Sequence, residues 1–323
     1  MTKAKIVLLV LPSDQGDILK DYLEWHLDSG VDLILAEDVG SSDNTHEILE
    51  SFSKRGRVKW SLVPEKNRLK YRAEETLAKM AIEQHGAEWI IMSDVDEFLC
   101  PQGQELRTIL QRAAADNVTA ISVPCFNMTG TVVQSARRAT ETQTLRIDRP
   151  VDDPPLEQFI SGDIPAPYIF IRHPPKTIAR ASAFVGYGPG THSVATSWGN
   201  SREFSELRFL HYPIRGFDKL EAKIAGATAF FDENDHLEPW WCWHWRRWIR
   251  LNQEGRLRED YEGQFLSPAR AEELIRDGIC TVDETIANWI KHKNSAARLN
   301  RRLTQVVKRR LKSLWSDSMR GDA

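Results

Sequence analysis

Asp94-Val95-Asp96 sets two carboxylates two positions apart, one residue, Ser93, after the largely apolar run Glu88-Trp89-Ile90-Ile91-Met92. Side chains alternate along an extended chain, so both carboxylates point the same way and make a hard oxygen site. Such a site suits magnesium or manganese, and a metal with so few protein ligands completes its shell with substrate phosphates. A nucleotide-bound diphosphate is the natural guest. As a bare pattern D-x-D is also a common polar loop; the strand before it and Glu97-Phe98-Leu99 after it supply the context. His211 or His192 could add a metal ligand, one or neither serving, because imidazole tolerates manganese. A hydrogen-bonded structural histidine is the alternative for each.

A second polar cluster, Glu37-Asp38-Val39-Gly40-Ser41-Ser42-Asp43-Asn44-Thr45, follows another apolar run. Asp38 there can accept hydrogen bonds from a nucleobase or ribose, while Asp43 suits turn organisation and helix capping. Lys176, Arg215 and Lys223 could neutralise a diphosphate, although single cations often serve only surface solvation. Asp232, Glu233, Asp235 and Glu238 cluster after a helical pattern over 217–230, where a returning chain could supply a general base; a solvated loop is the alternative for most of them. Gly186-Tyr187-Gly188-Pro189-Gly190 has the composition of a phosphate loop. It lacks a strong preceding strand and a following helix, which excludes a dinucleotide fingerprint.

The elements that must position these residues can be read from periodicity. Ile6 to Leu11 is a short, branched apolar run of the kind buried on both faces of a parallel sheet. Helical spacing over 17–27, a strand over 31–36, a helix after Asp43, a strand over 58–63, a helix over 73–84 and the strand before Asp94 complete an alternating pattern. That alternation predicts an α/β fold with a mostly parallel, doubly wound sheet. Ligands bind such sheets beyond the carboxyl ends of the strands, and Asp14, Asp38 and Asp94 all lie just past such ends, on one rim. A helix over 104–115 follows. The chain then reads as irregular, with a strand over 121–126, a Pro-rich stretch over 150–167 and a strand over 203–211. Helices are expected over 217–230, 239–251 and within 268–290.

Together these segments resemble the A-type (GT-A) nucleotide-sugar glycosyltransferases, in particular the family 2-like group with D-x-x-S-x-D-x-T after its second strand and D-x-D-E-F after its fourth. Asp14-Gln15-Gly16 with Leu23-Glu24-Trp25-His26 resembles that group's N-E-x and E-W-x-x-x-H elements, with Asp14-Gln15 departing from Asn-Glu. Lys176-Thr177-Ile178, Gly190-Thr191-His192-Ser193 and His211-Tyr212-Pro213-Ile214-Arg215 with Lys223 resemble later elements in order. The resemblance covers roughly residues 5 to 235 and implies a catalytic domain over 1–235; residues 236–323, which it does not reach, read by their periodicity as a helical extension.

It also implies donor contacts from Asp14, Asp38, Asp94, Lys176 and Arg215, and a divalent metal, Mn2+ or Mg2+, held by Asp94 and Asp96. The implied reaction is inverting transfer, of hexosyltransferase type, from a UDP or GDP sugar to a saccharide or lipid-linked acceptor, as in cell-surface polysaccharide synthesis. The base could come from Asp232, Glu233, Asp235 or Glu238.

Composition bounds the rest. The 323 residues are 41% apolar and 28% charged, which excludes a disordered, collagen-like or integral-membrane chain. Cys100, Cys125, Cys242 and Cys280 stand far apart without zinc-finger spacing, as in a reducing compartment. No apolar run approaches the roughly 18 residues of a membrane span, and a cytoplasmic location is expected. The net charge of −3 predicts no specific nucleic-acid partner, but it divides unevenly. From Lys291 onward ten Lys and Arg face two Asp, a net of +8, which leaves −11 for the first 290 residues. Apolar residues at helical spacing in that basic tail suit an anionic membrane surface, such as the inner membrane face, or packing on the chain's own acidic body.

Five of the eleven Trp fall within 238–248. Core packing, sugar stacking and seating at a membrane interface are the competing roles. Two rival functions remain: a nucleotidyltransferase, which would want a basic Gly-rich loop after the first strand, and a non-catalytic protein that docks on membrane or RNA through its tail.

Overall fold

In the computed structural model the chain runs through β1 (Ile6–Val10), α1 (Leu19–Asp28), β2 (Leu33–Asp38), α2 (Thr45–Ser53), β3 (Val58–Leu62), α3 (Ala73–Glu83) and β4 (Trp89–Met92). Next come β5 (Glu97–Pro101), α4 (Leu106–Ala115), β6 (Val118–Thr129), the single turn α5 (Ala139–Thr142) and β7 (Leu145–Ile147). Then follow β8 (His173–Arg180), β9 (Phe184–Tyr187), β10 (Val194–Thr196), β11 (Asn200–Glu203), β12 (Leu207–His211), α6 (Phe217–Glu233), α7 (Trp243–Gln253), α8 (Leu257–Gly263), α9 (Pro268–Arg276) and β13 (Cys280–Val282). The structure describes residues 5–63, 73–131, 138–151, 158, 161, 164, 166–233, 238 and 242–296. Asp235, Trp240, Trp241, most of the Pro-rich stretch and the basic tail beyond residue 296 lie outside them.

β3, β2, β1 and β4 lie side by side and parallel, so the chain steps outward from β1 to β3 and then returns to the other flank of β1. The gap between the β1 and β4 loops is the switch point where ligands of such sheets bind. β1 and β4 are buried throughout because helices cover both sheet faces. Val7, Leu9, Leu33, Leu35, Ile90 and Met92 pack on Leu77, Ala78 and Ala81 of α3.

Beyond β4 the sheet continues through antiparallel β8 and β6, then β7 and β13, while β12 runs parallel to β6 and antiparallel to β5. This α/β sheet is broader than the strand pattern predicts. The stretch from 118 to 200, read as largely irregular, supplies β6 to β10, and β6 spans twelve residues rather than six. Pro124 inside β6 and the exposed Pro174 and Pro175 at the start of β8 hide the strand signal.

Two joints matter for the site. His26 on α1 donates from Nδ1 to the Tyr22 carbonyl at 2.8 Å, and its Nε2 accepts from the Leu99 amide at 3.1 Å, while Trp25 Nε1 donates to the Leu99 carbonyl at 2.8 Å. These bonds tie α1 to β5. Ile214, Leu220 and Ile224 pack on Trp248, Leu251 and Tyr261, which joins α6 to α7 and α8. The chain divides into units after Asp283; in the second unit, residues 285–296 are helical. Among the described residues no helix is long and apolar enough to cross a membrane.

Candidate active site

The turn between β4 and β5 carries the first carboxylates. Ser93 is buried and its hydroxyl pairs with Tyr22 Oη at 2.8 Å, which fixes the turn against α1. The Asp94 amide then donates to Glu97 Oε2 at 2.8 Å. Asp94 keeps a side chain that is 67% exposed, whereas Asp96 and Glu97 are buried.

Lys176 of β8, almost fully buried, reaches Asp94 Oδ2 at 2.9 Å and Glu97 Oε2 at 3.2 Å. Removal from water raises the Asp94 carboxyl, but the Lys176 ammonium outweighs it and the group sits below the usual carboxylate range. Burial lowers Lys176 in turn, and Asp94 and Glu97 more than reverse this. Glu97 goes the other way. Burial pushes it up to about 8 against the pull of Lys176, with Asp94 and Asp96 adding repulsion.

Asp96 faces two partners. Arg215, in the segment between β12 and α6, donates from Nη1 to Asp96 Oδ2 at 2.7 Å and from Nε to Asp17 Oδ2 at 2.8 Å, and its Nη2 engages Gln15 Oε1. Burial disfavours the charge on Asp96, and Arg215 and then Lys223 hold its carboxyl below the usual range. On the other side, His211 Nε2 stands 3.9 Å from Asp96 Oδ1, too far for a hydrogen bond. His211 Nδ1 lies 2.7 Å from Asn127 Oδ1. Asn127 Nδ2 donates to the carbonyls of Ile169 and Ile171, so its oxygen faces the imidazole and the proton belongs on Nδ1. Burial, then His173, holds His211 well below its ordinary value, and Nε2 keeps its lone pair. A neutral imidazole nitrogen and a carboxylate oxygen, facing but unbonded, are a donor pair that fits a divalent metal.

The loops after β1 and β2 form the adjoining rim. Asp14, at φ +52°, accepts at Oδ1 from the Ser42 amide and hydroxyl at 2.6 and 3.0 Å and from the Asp43 amide at 3.1 Å. The Gly16 amide donates to Asp43 Oδ2 at 3.0 Å, and a Cβ on Gly16 would fall 1.8 Å from Asn44 Oδ1, so the exposed Asn44 side chain would have to turn aside for any larger residue. Asp38 Oδ1 accepts from the Ser41 amide and hydroxyl at 3.0 and 2.6 Å. Its Oδ2 is buried without a hydrogen-bond partner among the described residues, an acceptor suited to an N–H or O–H of a ligand.

Asp94, Asp96, Lys176, His211 and Arg215 therefore meet in one centre, and Asp14 and Asp38 lie on the connected rim. His192 is half-buried beside it, its Nδ1 3.2 Å from the Pro175 carbonyl and its ring 5.6 Å from that of His173. Asp232 and Glu238 are exposed, Glu233 ends α6, and Asp235 lies outside the described residues. Lys223 is exposed, and its Nζ stands 5.4 Å from the Trp245 ring. Of the Trp-rich segment, Trp248 is core: it is buried and donates from Nε1 to Asp260 Oδ2 at 3.0 Å.

Sequence reasoning missed Asn127, His173 and Asp17, whose local signal is polarity alone, and gave Glu97 and Gln15 no role of their own although both lie in elements that carry the resemblance. Asn127 and His211 are 84 positions apart, and pairing of β6 with β12 makes them neighbours.

Residues 10–186, more than half of the chain, match the model of glycosyltransferase family 92. Comparison with curated proteins gave no match. Among solved structures, S. aureus TarS 1–349 is similar at 12% identity and TM-score 0.38, over 85% of this chain and 92% of that one. TarS 1–349 in complex with UDP is similar at 13% identity and TM-score 0.35, over 55% of this chain and 47% of that one, about half its length. Glucosyl-3-phosphoglycerate synthase from Mycobacterium tuberculosis, in complex with Mn2+, UDP and glucosyl-3-phosphoglycerate, is similar at 12% identity and TM-score 0.33, over 68% of this chain and 75% of that one.

Proposed function

The chain belongs to glycosyltransferase family 92, and from that premise we propose that it transfers a sugar from a UDP or GDP sugar to a saccharide or lipid-linked acceptor, with Mn2+ or Mg2+ in the Asp94, Asp96 and His211 centre. One observation carries the metal part of this reading: the unprotonated His211 Nε2 facing Asp96 Oδ1 at 3.9 Å, its tautomer set by Asn127. A bound divalent ion supplies positive charge to the departing nucleoside diphosphate.

The chain's own residues do the remaining work. Asp38 Oδ2 accepts a hydrogen bond from the nucleobase or ribose, and Asp14 holds the Ser41–Asp43 turn beside it. Lys176 and Arg215 keep Asp94 and Asp96 charged and aimed, each cation held between two acidic side chains so that neither reorganises when a polyanion arrives. His192 stands at the margin as a reserve ligand. Inversion needs a base for the acceptor hydroxyl, and Asp232, Glu233, Asp235 and Glu238 are its candidates, supplied from the end of α6 and the segment after it.

The test is calorimetric titration with UDP and GDP, each with and without Mn2+. Binding of one nucleotide should require the metal and weaken in Asp96→Ala. Binding that ignores metal, or none at all, would overturn the proposal.

A further inference from the structure

A second donor set lies against this centre, of different chemistry. His173, Cys125 and His211 stand on three adjacent strands, β8, β6 and β12. Cys125 is in register with His173 on one side and with Phe209, two residues before His211, on the other. One donor atom from each of the three lies within 4.8 Å of the others. Both imidazoles leave the same nitrogen unprotonated. His211 Nδ1 is bonded to Asn127 Oδ1, and His173 Nδ1 lies 2.9 Å from the Pro174 carbonyl, which can only accept. Each Nε2 therefore holds a lone pair. Burial, then Lys176, brings His173 down to about 4, so it is neutral like His211.

An independent feature points into the same place. Glu97 Oε1 is fully buried, has no hydrogen-bond partner among the described residues, and stands 3.7 Å from His173 Nε2. That is too long for a hydrogen bond and close to the spacing of two ligands on one ion, since zinc holds nitrogen and oxygen at about 2.0–2.2 Å and sulfur at about 2.3 Å.

We propose that Cys125, His173 and His211 form a thiophilic metal site for Zn2+ or a similarly soft divalent cation. A thiolate and two imidazoles select such ions, whereas the carboxylates of Asp94 and Asp96 select manganese or magnesium. On binding, the Cys125 S–H bond breaks, the sulfur pair forms the metal–sulfur bond and the proton leaves to solvent. His211 Nε2 cannot serve two ions at once, so a soft cation displaces the hard one. That competition rests on the proposed function; the site itself does not.

The test uses the full chain, stripped with EDTA and titrated with Cd2+. One equivalent should produce the ultraviolet thiolate-to-cadmium charge-transfer band. Cys125→Ser should abolish the band, and His173→Gln should weaken binding about tenfold or more. A wild-type chain without the band, or a band that persists in Cys125→Ser and so belongs to Cys100, Cys242 or Cys280, overturns the proposal. In a second arm, Zn2+ should lower Mn2+ affinity more strongly in the wild type than in Cys125→Ser, where only direct competition at the carboxylate centre remains. A missing cadmium band with metal-dependent nucleotide binding intact sinks this site alone. A Cys125-dependent band with the same Zn2+ effect on Mn2+ affinity in wild type and Cys125→Ser overturns the shared His211 and counts against its role in the proposed function.

Discussion

Arg215 Nη1 donates to Asp96 Oδ2 at 2.7 Å across 119 positions of sequence, and the same guanidinium holds Asp17 at 2.8 Å. One buried cation thus joins the loops after β1 and β4 across the switch point of the sheet. Removing it strands two carboxylates in a poorly hydrated place. Arg215→Ala should therefore cost about 3–5 kcal/mol of stability in denaturant unfolding of the metal-free chain. A loss under about 1 kcal/mol would mean the two carboxylates relax into water unaided.

Asn127 sets the His211 tautomer from behind the ring, away from the nitrogen proposed to hold the metal. Asn127→Leu should lower Mn2+ affinity about 10–100-fold, read by electron paramagnetic resonance of free Mn2+. The buried His211 N–H left behind should cost about 1–3 kcal/mol as well. Unchanged Mn2+ affinity would remove His211 from the metal centre.

Glu97 gives the chain a definite pH response. Burial raises its carboxyl to about 8 in the folded chain, against an ordinary 4.5. The folded state then binds a proton that the unfolded state has already lost, so this contribution is complete below about pH 4.5 and vanishes as pH rises through about 8. The Tm of the metal-free protein should fall across that window. Glu97→Gln, a permanent mimic of the neutral form, should flatten the fall, and an identical slope in both proteins would refute the assignment.

Asp38 offers its unpaired Oδ2 at the end of β2. Asp38→Ala should weaken nucleoside diphosphate binding roughly 10- to 100-fold, the worth of a hydrogen bond to a charged group, and the loss should also appear with the free nucleoside. Calorimetry with both ligands checks this. A loss confined to the diphosphate would place the contact elsewhere.

Trp248 fills the joint between α6, α7 and α8. Trp248→Ala should cost about 3–5 kcal/mol in unfolding experiments. A surface role in sugar stacking predicts almost no loss of stability.

Local pattern accounts for β1 to β4 and the helices between them, but not for β5 at Glu97–Pro101. Apolar runs of strand length, helical spacing between them and glycines at the breaks encode β1 to β4 with their helices, because each signal depends on neighbours within a turn or a pleat. The carboxylates Asp14, Asp38, Asp94 and Asp96 were legible for the same reason: each lies just past the end of a readable strand. Lys176, His211 and Arg215 came from ordered resemblance, not from periodicity.

What only the tertiary structure decided is which of these groups meet, and in what state. Asn127 faces His211 because β6 pairs with β12, and Cys125 faces His173 because β6 also pairs with β8. Register between strands dozens of positions apart leaves no periodic trace in either strand. Protonation follows the same rule: Asp94 and Glu97 lie three positions apart against one lysine, yet the Lys176 ammonium holds the first low while burial lifts the second. Burial and long-range pairing are properties of the assembled sheet, and they turn a legible row of carboxylates into a centre with assigned charges.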